Sequence, residues 1–238
     1  MTIDYDRFEV LTFDCYGTLI DWETGLLAGL RRALPELEPA SDNELLEQFA
    51  AIATRTERGP YRSYRSVLSA GLRGVAAARA LEVPEEAVAA FSGSVGDWPV
   101  FHDSTDALRR LRERFKLAVV TNCDADLFAA SSRRLGVEFD WVVTAELARA
   151  YKPDPKPFEV AFATIGVQRE RILHVAQSLF HDHVPAKLLG LATVWIDRRH
   201  DRPGFGATPW ATATPDATFP SLRAFADAAV PPETGARA

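Results

Sequence analysis

The chain has 238 residues, of which 47% are hydrophobic and 25% charged, and this length accommodates one large globular domain or a core domain with a smaller insertion. Its formal net charge of -6 disfavours a general nucleic-acid binder, which needs a basic surface to displace counterions from phosphates. No apolar run is long enough to span a membrane and residues 1–9 are polar and acidic, so we expect a cytoplasmic protein without a nucleic-acid or membrane partner.

The first predicted element is a buried strand at residues 10–13, and similar short apolar runs recur in the second half of the chain. These strand candidates are residues 117–121, 141–144, 172–175 and 192–196. Stretches of helical period separate them, at residues 103–114, 124–135, 157–165 and 183–189. This alternation is typical of a parallel sheet with helices on both faces. We predict an α/β fold with a doubly wound parallel sheet, formed by residues 1–21 and 98–238.

The segment between the first two strands, residues 22–97, contains no convincing strand. It is rich in Ala, Leu, Glu and Arg and has helical periodicity, most clearly at residues 44–58 and 64–81. Because a structureless loop of this length is uncommon inside a compact domain, we predict an inserted helical cap. Near the other end of the chain, residues 202–215 contain Pro, Gly and Thr and are predicted to be a surface loop.

Polar side chains follow the predicted strands, where open parallel sheets bind their ligands. They are Asp14, Tyr16 and Thr18 after the first strand, Thr121 and Asn122 after the second, Lys152 after the third, and Ser178, His181 and Asp182 after the fourth. Each one alone fits an ordinary helix cap or turn. Together they indicate catalysis, because a nucleophilic carboxylate needs cationic and hydroxyl groups nearby to hold it ionised and to position a substrate.

In their order and placement these residues resemble the motifs of the haloacid dehalogenase superfamily. Asp14 with Gly17 and Thr18 matches the first motif, Thr121 the second, Lys152 the third and Asp182 the fourth. The resemblance implies a Rossmann-like core, a helical cap inserted after the first motif, and Asp14 as a nucleophile that forms a covalent ester.

The first motif is most similar to that of the L-2-haloacid dehalogenases, the metal-free branch of the superfamily. Superfamily phosphatases look like Asp-x-Asp at this motif and hold magnesium, whereas here Tyr16 replaces the second aspartate. The resemblance implies hydrolysis of a small 2-haloalkanoic acid to a 2-hydroxy acid and halide, with no cofactor and no metal. Lys152 would keep Asp14 ionised, Asp182 would act on the water that hydrolyses the ester, and Thr18 would donate a hydrogen bond.

The implied substrate-binding residues are Tyr16, Thr121, Asn122, Ser178, His181 and a cap arginine, for which Arg62 is the candidate, with Arg55 and Arg65 nearby. Two positions differ from the pattern of the L-2-haloacid dehalogenases. Leu179 replaces an asparagine of that pattern, and Phe158 replaces a tyrosine. A magnesium-dependent phosphatase of a small phosphometabolite and a binding protein that has lost the chemistry therefore stay open as alternatives. The resemblance also suggests a homodimer.

Overall fold

A computed structural model of the protein describes residues 3–202, 204 and 206–231. Residues 1–2 and 232–238, which were predicted to belong to the core, lie outside the described residues. None of the helices in the described ranges combines the length and the apolar character that crossing a membrane requires.

A parallel sheet of six strands forms the centre of the fold. Its strands run in the order β3-β2-β1-β4-β5-β6, and every neighbouring pair is parallel. They are β1 (Val10–Phe13), β2 (Lys116–Thr121), β3 (Trp141–Thr144), β4 (Ile172–Ala176), β5 (Ala192–Ile196) and β6 (Ala217–Phe219). The strand order reverses between β1 and β4, which is where an open parallel sheet forms a crevice for ligands. The predicted α/β fold class is confirmed.

Helices follow the strands and cover both faces of the sheet. They are α5 (Ser104–Arg112), α6 (Ala125–Leu135), α7 (Ala145–Ala148), α8 (Lys156–Ile165), α9 (Val184–Leu188) and α10 (Leu222–Ala229). Both α6 and α8 end at a glycine in the left-handed conformation, Gly136 and Gly166, which closes the last helical turn. A short π-helix, Leu179–His183, precedes α9, and such π-helical turns often occur at functional sites.

The segment after β1 contains four helices: α1 (Trp22–Ala33), α2 (Asp42–Glu57), α3 (Tyr64–Ala77) and α4 (Glu85–Gly93). The side chains of Asp21, Ser41 and Ser63 each accept a hydrogen bond from a backbone N–H in the first turn of α1, α2 and α3, respectively. The helical character predicted for this segment is therefore present. Its division from the core at residues 21 and 97 stays a prediction.

The inserted helices share a hydrophobic core with one face of the sheet. Phe13 of β1, Leu26 and Leu30 of α1, Phe49 of α2 and Val67 of α3 belong to one cluster of buried side chains. A smaller cluster on the other face contains Val10, Val120 and Phe158. The continuous larger cluster places the inserted helices against the carboxyl end of β1.

Candidate active site

Asp14, the first residue after β1, lies at the carboxyl end of the central strand and is 7% exposed. The Thr18 hydroxyl donates a 2.7 Å hydrogen bond to its Oδ2 atom, and the Lys152 ammonium donates one of 2.9 Å to its Oδ1 atom. The turn that returns Thr18 to Asp14 needs Gly17, whose φ of 95° is strained for other residues. Each carboxylate oxygen thus has one fixed donor.

Lys152 holds the two buried carboxylates of the site together. Its Nζ atom donates to Oδ1 of Asp14 at 2.9 Å, to Oδ1 of Asp182 at 2.6 Å and to the carbonyl oxygen of Val120 at 2.6 Å. Burial lowers the pKa of Lys152, but the two carboxylates outweigh this effect, and the net direction is upward. The ammonium is therefore charged, and all three of its protons are engaged.

Burial raises the pKa of Asp14, while the charge of Lys152 and the hydrogen bond from Thr18 act in the opposite direction. For Asp182, burial is outweighed by Lys152 and His174, and the pKa is lowered. Asp182 is thus the more acidic of the two carboxyl groups. Ionisation of Asp14 depends on the ammonium that it shares with Asp182.

His174, in the middle of β4, orients Asp182. Its Nε2 atom lies 3.0 Å from Oδ1 of Asp182, and its Nδ1 atom lies 2.9 Å from the hydroxyl of Thr12 on β1. This residue was not predicted from the sequence. The sequence did contain a signal for it, which is a histidine inside an otherwise apolar strand. Such a buried polar side chain requires a polar partner nearby.

The π-helical turn brings Ser178 and His181 to the site. The Ser178 hydroxyl accepts a 2.9 Å hydrogen bond from the His181 backbone N–H and lies 3.0 Å from Nδ1 of the same histidine. Burial lowers the pKa of His181 to about 4, so its imidazole is neutral at physiological pH.

These groups open into a cavity between the sheet and the inserted helices. The core contributes Asp14, Tyr16, Asn122, Lys152, Ser178, His181 and Asp182 to its lining. The inserted segment contributes Trp22, Phe49, Ala50, Ala53, Thr54, Glu57 and Tyr64. Ala207 and Thr208 complete the wall.

Most of the predicted site residues meet at this cavity, and two of its lining residues also make contacts with residues beside it. The Asn122 side-chain amide accepts a 2.7 Å hydrogen bond from the Lys152 backbone N–H and donates one of 2.9 Å to the Lys152 carbonyl oxygen, and so positions the lysine. Tyr16 lines the wall with its ring, while its hydroxyl lies 3.0 Å from the Ser131 hydroxyl and accepts from the Cys123 thiol.

The structure does not bring Thr121 or the arginine candidates to the cavity lining. Thr121 is 1% exposed, at the end of β2, and its hydroxyl has no partner among the described residues. Arg62 is exposed in the turn before α3, and Arg55 is exposed on α2. Arg65 pairs with Asp126 at 2.5 Å. The expectation that Arg62 binds substrate is therefore not supported, because the arginines point to solvent or to surface carboxylates.

Two features of the cavity were not predicted from the sequence. Glu57, the last residue of α2, belongs to its lining, and burial raises the pKa of this carboxyl to about 8 against the opposing charge of Lys152. Ala207 and Thr208 lie within the segment predicted to be a surface loop. The Glu23 carboxylate accepts a 3.0 Å hydrogen bond from the Ala207 backbone N–H, which holds this segment against α1.

The carboxylates of the site do not fit a magnesium ion in this arrangement. The Lys152 ammonium pairs with both Asp14 and Asp182, so it already neutralises the two carboxylates that would have to bind a divalent cation. No group of three or more His, Cys, Asp or Glu side chains in the described ranges is arranged to hold a metal.

Known proteins share both the sequence pattern and the fold of this chain. A family model described as haloacid dehalogenase-like hydrolase matches residues 8–177. The chain is 28% identical over 221 residues to haloacetate dehalogenase H-2 of Moraxella sp. (strain B), covering 92% of this chain and 96% of that protein. It is 25% identical over 201 residues to an (S)-2-haloacid dehalogenase of Pseudomonas sp. (strain YL), covering 81% and 84%.

A solved L-2-haloacid dehalogenase from Xanthobacter autotrophicus has the same fold, with a TM-score of 0.79 at 20% identity over 92% of this chain and 97% of that one. The family model covers more than half of the chain, including the motifs that supply Asp14, Thr18 and Lys152. The chain therefore belongs to the haloacid dehalogenase-like hydrolases.

Proposed function

We propose that the protein hydrolyses the carbon–halogen bond of a small 2-haloalkanoic acid, giving a 2-hydroxy acid and halide through an ester on Asp14. The observation that carries this proposal is the Asp14 carboxylate, which is buried at the cavity floor between one hydroxyl donor and one ammonium. The dehalogenase activities named for the relatives support the reaction class.

In the first half-reaction, a carboxylate oxygen of Asp14 attacks the halogenated carbon. A carbon–oxygen bond forms, the carbon–halogen bond breaks, and the halide leaves with the electron pair. Halide is a good leaving group, so this step needs no proton transfer. The contacts of Thr18 and Lys152 aim the carboxylate before substrate arrives, which reduces the entropic cost of reaching the transition state.

In the second half-reaction, water attacks the carbonyl carbon of the Asp14 ester. Oδ2 of Asp182 is buried and has no partner among the described residues, so it is available to accept a hydrogen bond from this water. One water proton passes to the alkyl oxygen as the ester bond breaks, and the other is released to solvent. The products are the hydroxy acid and the regenerated Asp14 carboxylate.

The test measures halide release from each enantiomer of 2-chloropropionate, once with a chelator and once with magnesium. Phosphate release from a phosphomonoester is measured under the same two conditions. We expect halide release that survives chelation and is abolished in Asp14→Asn, with the far-ultraviolet circular dichroism of the variant unchanged. Phosphate release that requires magnesium, without any halide release, would show instead a phosphatase. No turnover over a broad panel would favour a binding protein.

A further inference from the structure

In-line attack determines where the halide goes. Asp14 approaches the substrate from the end of β1, on the sheet side of the cavity. A displacement needs the nucleophile, the carbon and the leaving group in one line, so the halide departs on the side opposite Asp14. That side is formed by the inserted helices.

The inserted helices offer few groups that stabilise a departing anion. Phe49, Ala50 and Ala53 of α2 are apolar, and Thr54 and Glu57 are the polar residues of the same helix in the lining. Among the residues that the structure describes, α1 to α4 contribute neither lysine nor arginine to this cavity. A halide leaving toward α2 therefore lacks a cationic partner on that side.

Glu57 is a partly buried carboxyl group that is free to interact with substrate. Its side chain makes no hydrogen bond or ion pair with any residue in the described part of the chain. Because its pKa is raised to about 8, the group keeps its proton at neutral pH and carries an O–H donor.

Charged and titratable groups surround Glu57 on two sides. Those in the active-site cavity are Asp14, Tyr16, Tyr64, Lys152, His181 and Asp182. Those in the adjoining outer cavity, which also contains Glu57, are Arg58, Tyr61, Arg149, Tyr151, Lys152 and Asp154. Lys152 is the cation common to both cavities, and its three protons are already engaged.

We propose, on the basis of the dehalogenation proposed above, that Glu57 is a catalytic residue that donates a hydrogen bond to the halide as it leaves. The proton stays on Glu57 throughout. The bond from Asp14 to carbon forms, the carbon–halogen bond breaks, and the electron pair goes to the halide. Fluoride is the strongest hydrogen-bond acceptor of the halides and the poorest leaving group, so it gains most from this donor.

The experiment compares fluoroacetate, chloroacetate and bromoacetate as substrates of the wild type, Glu57→Ala and Glu57→Gln. We expect Glu57→Ala to lower kcat/KM for fluoroacetate by about 100-fold, which is the effect of losing one hydrogen-bond donor to the transition state. The loss should be smaller for chloroacetate and smallest for bromoacetate. Glu57→Gln keeps an N–H donor and should retain more activity. Glu47→Gln, the same change at an exposed position of α2, should leave all three rates unchanged.

The pH profile gives a second, independent measurement. Ionised Glu57 repels the departing halide, so wild-type kcat/KM should fall as pH rises through about 8, the pKa of Glu57. Glu57→Gln has no proton to lose in this pH range, so the fall should be absent in that variant. This comparison does not require Glu57→Ala to fold.

An equal loss for all three halogens would place Glu57 at another part of the substrate and overturn the proposal. So would unchanged rates, or a pH profile that Glu57→Gln does not alter. In each of these cases the wild type still releases halide, and dehalogenation stands. If the wild type releases halide from none of the three substrates, both proposals fail.

Discussion

Lys152 links Asp14, the proposed nucleophile, to Asp182, and each of these two acids serves one half of the proposed reaction. Asp14 has a donor on each oxygen, whereas Asp182 keeps Oδ2 without a partner among the described residues. This asymmetry fits the different roles that we propose for them, because a nucleophile must be oriented and a group that binds water must have a free acceptor.

Replacing Asp182 with Asn should separate the two half-reactions. We expect halide release in a single turnover but slow hydrolysis, since the amide lacks the charge that orients the water. The ester should accumulate, and mass spectrometry of the intact protein and of its peptides should locate the added mass at Asp14. Glu146→Gln, an exposed carboxylate outside the cavity, is the matched control. Rapid steady-state turnover without an accumulated ester would contradict this assignment.

Replacing Lys152 with Met should abolish activity and destabilise the fold. The change leaves two buried carboxylates without their cation, and losing one partner of a buried ion pair costs about 3–5 kcal/mol. Since Lys152 lowers the pKa of Asp14, its removal raises this pKa further above the unfolded value. The destabilisation should therefore shrink as pH falls and Asp14 becomes protonated, and grow as pH rises.

Urea unfolding of the Lys152→Met variant and the wild type at several pH values measures this effect. Lys156→Met is the control, because its side chain is exposed at the start of α8. A stability difference that is constant with pH would argue against an ionised Asp14 beside the lysine.

At the scale of elements, α1 connects the inserted helices to the segment that completes the cavity wall. Glu23 of α1 is 8% exposed, accepts the Ala207 backbone N–H and pairs with Arg199. One buried carboxylate therefore holds the Ala207 backbone against α1. This contact joins two stretches that are far apart in sequence.

Glu23→Ala should loosen this segment without touching the reacting atoms. We expect a several-fold increase in KM with a smaller change in kcat, because the wall that packs against substrate is no longer held. Thermal stability should also fall, since Arg199 loses a buried partner. Glu36→Ala, at an exposed position, should change neither. A loss of kcat at unchanged KM would show that Glu23 acts on the chemistry instead.

At the scale of the whole molecule, one hydrophobic cluster extends from β1 through α1, α2 and α3. The insertion therefore lacks a separate core of its own. We expect one cooperative thermal transition, with coincident curves from far-ultraviolet circular dichroism and tryptophan fluorescence. Trp22 and Trp98 report on the insertion and its boundary, and Trp141 and Trp195 report on the sheet. Two resolved transitions would show that the inserted helices unfold independently.

The strands illustrate what can be predicted from sequence. The bounds predicted for β1, β3 and β5 agree with the structure, and those of β2 and β4 differ by one residue. Buried parallel strands are continuous apolar runs, and this local signal is strong. β6 and α10 were not predicted. β6 is a three-residue strand with partly exposed side chains, and it lacks such a signal.

For the site, the sequence alone determined the order of the polar groups at the strand ends, because the end of each apolar run is visible in the chain. Asp14, Thr18, Lys152 and Asp182 were found in this way. Only the tertiary structure decided that His174 supports Asp182, that Arg62 faces solvent and that Glu57 faces the cavity. These outcomes depend on how helices rotate and pack against a sheet that is distant in sequence, and no local pattern of residues encodes that rotation.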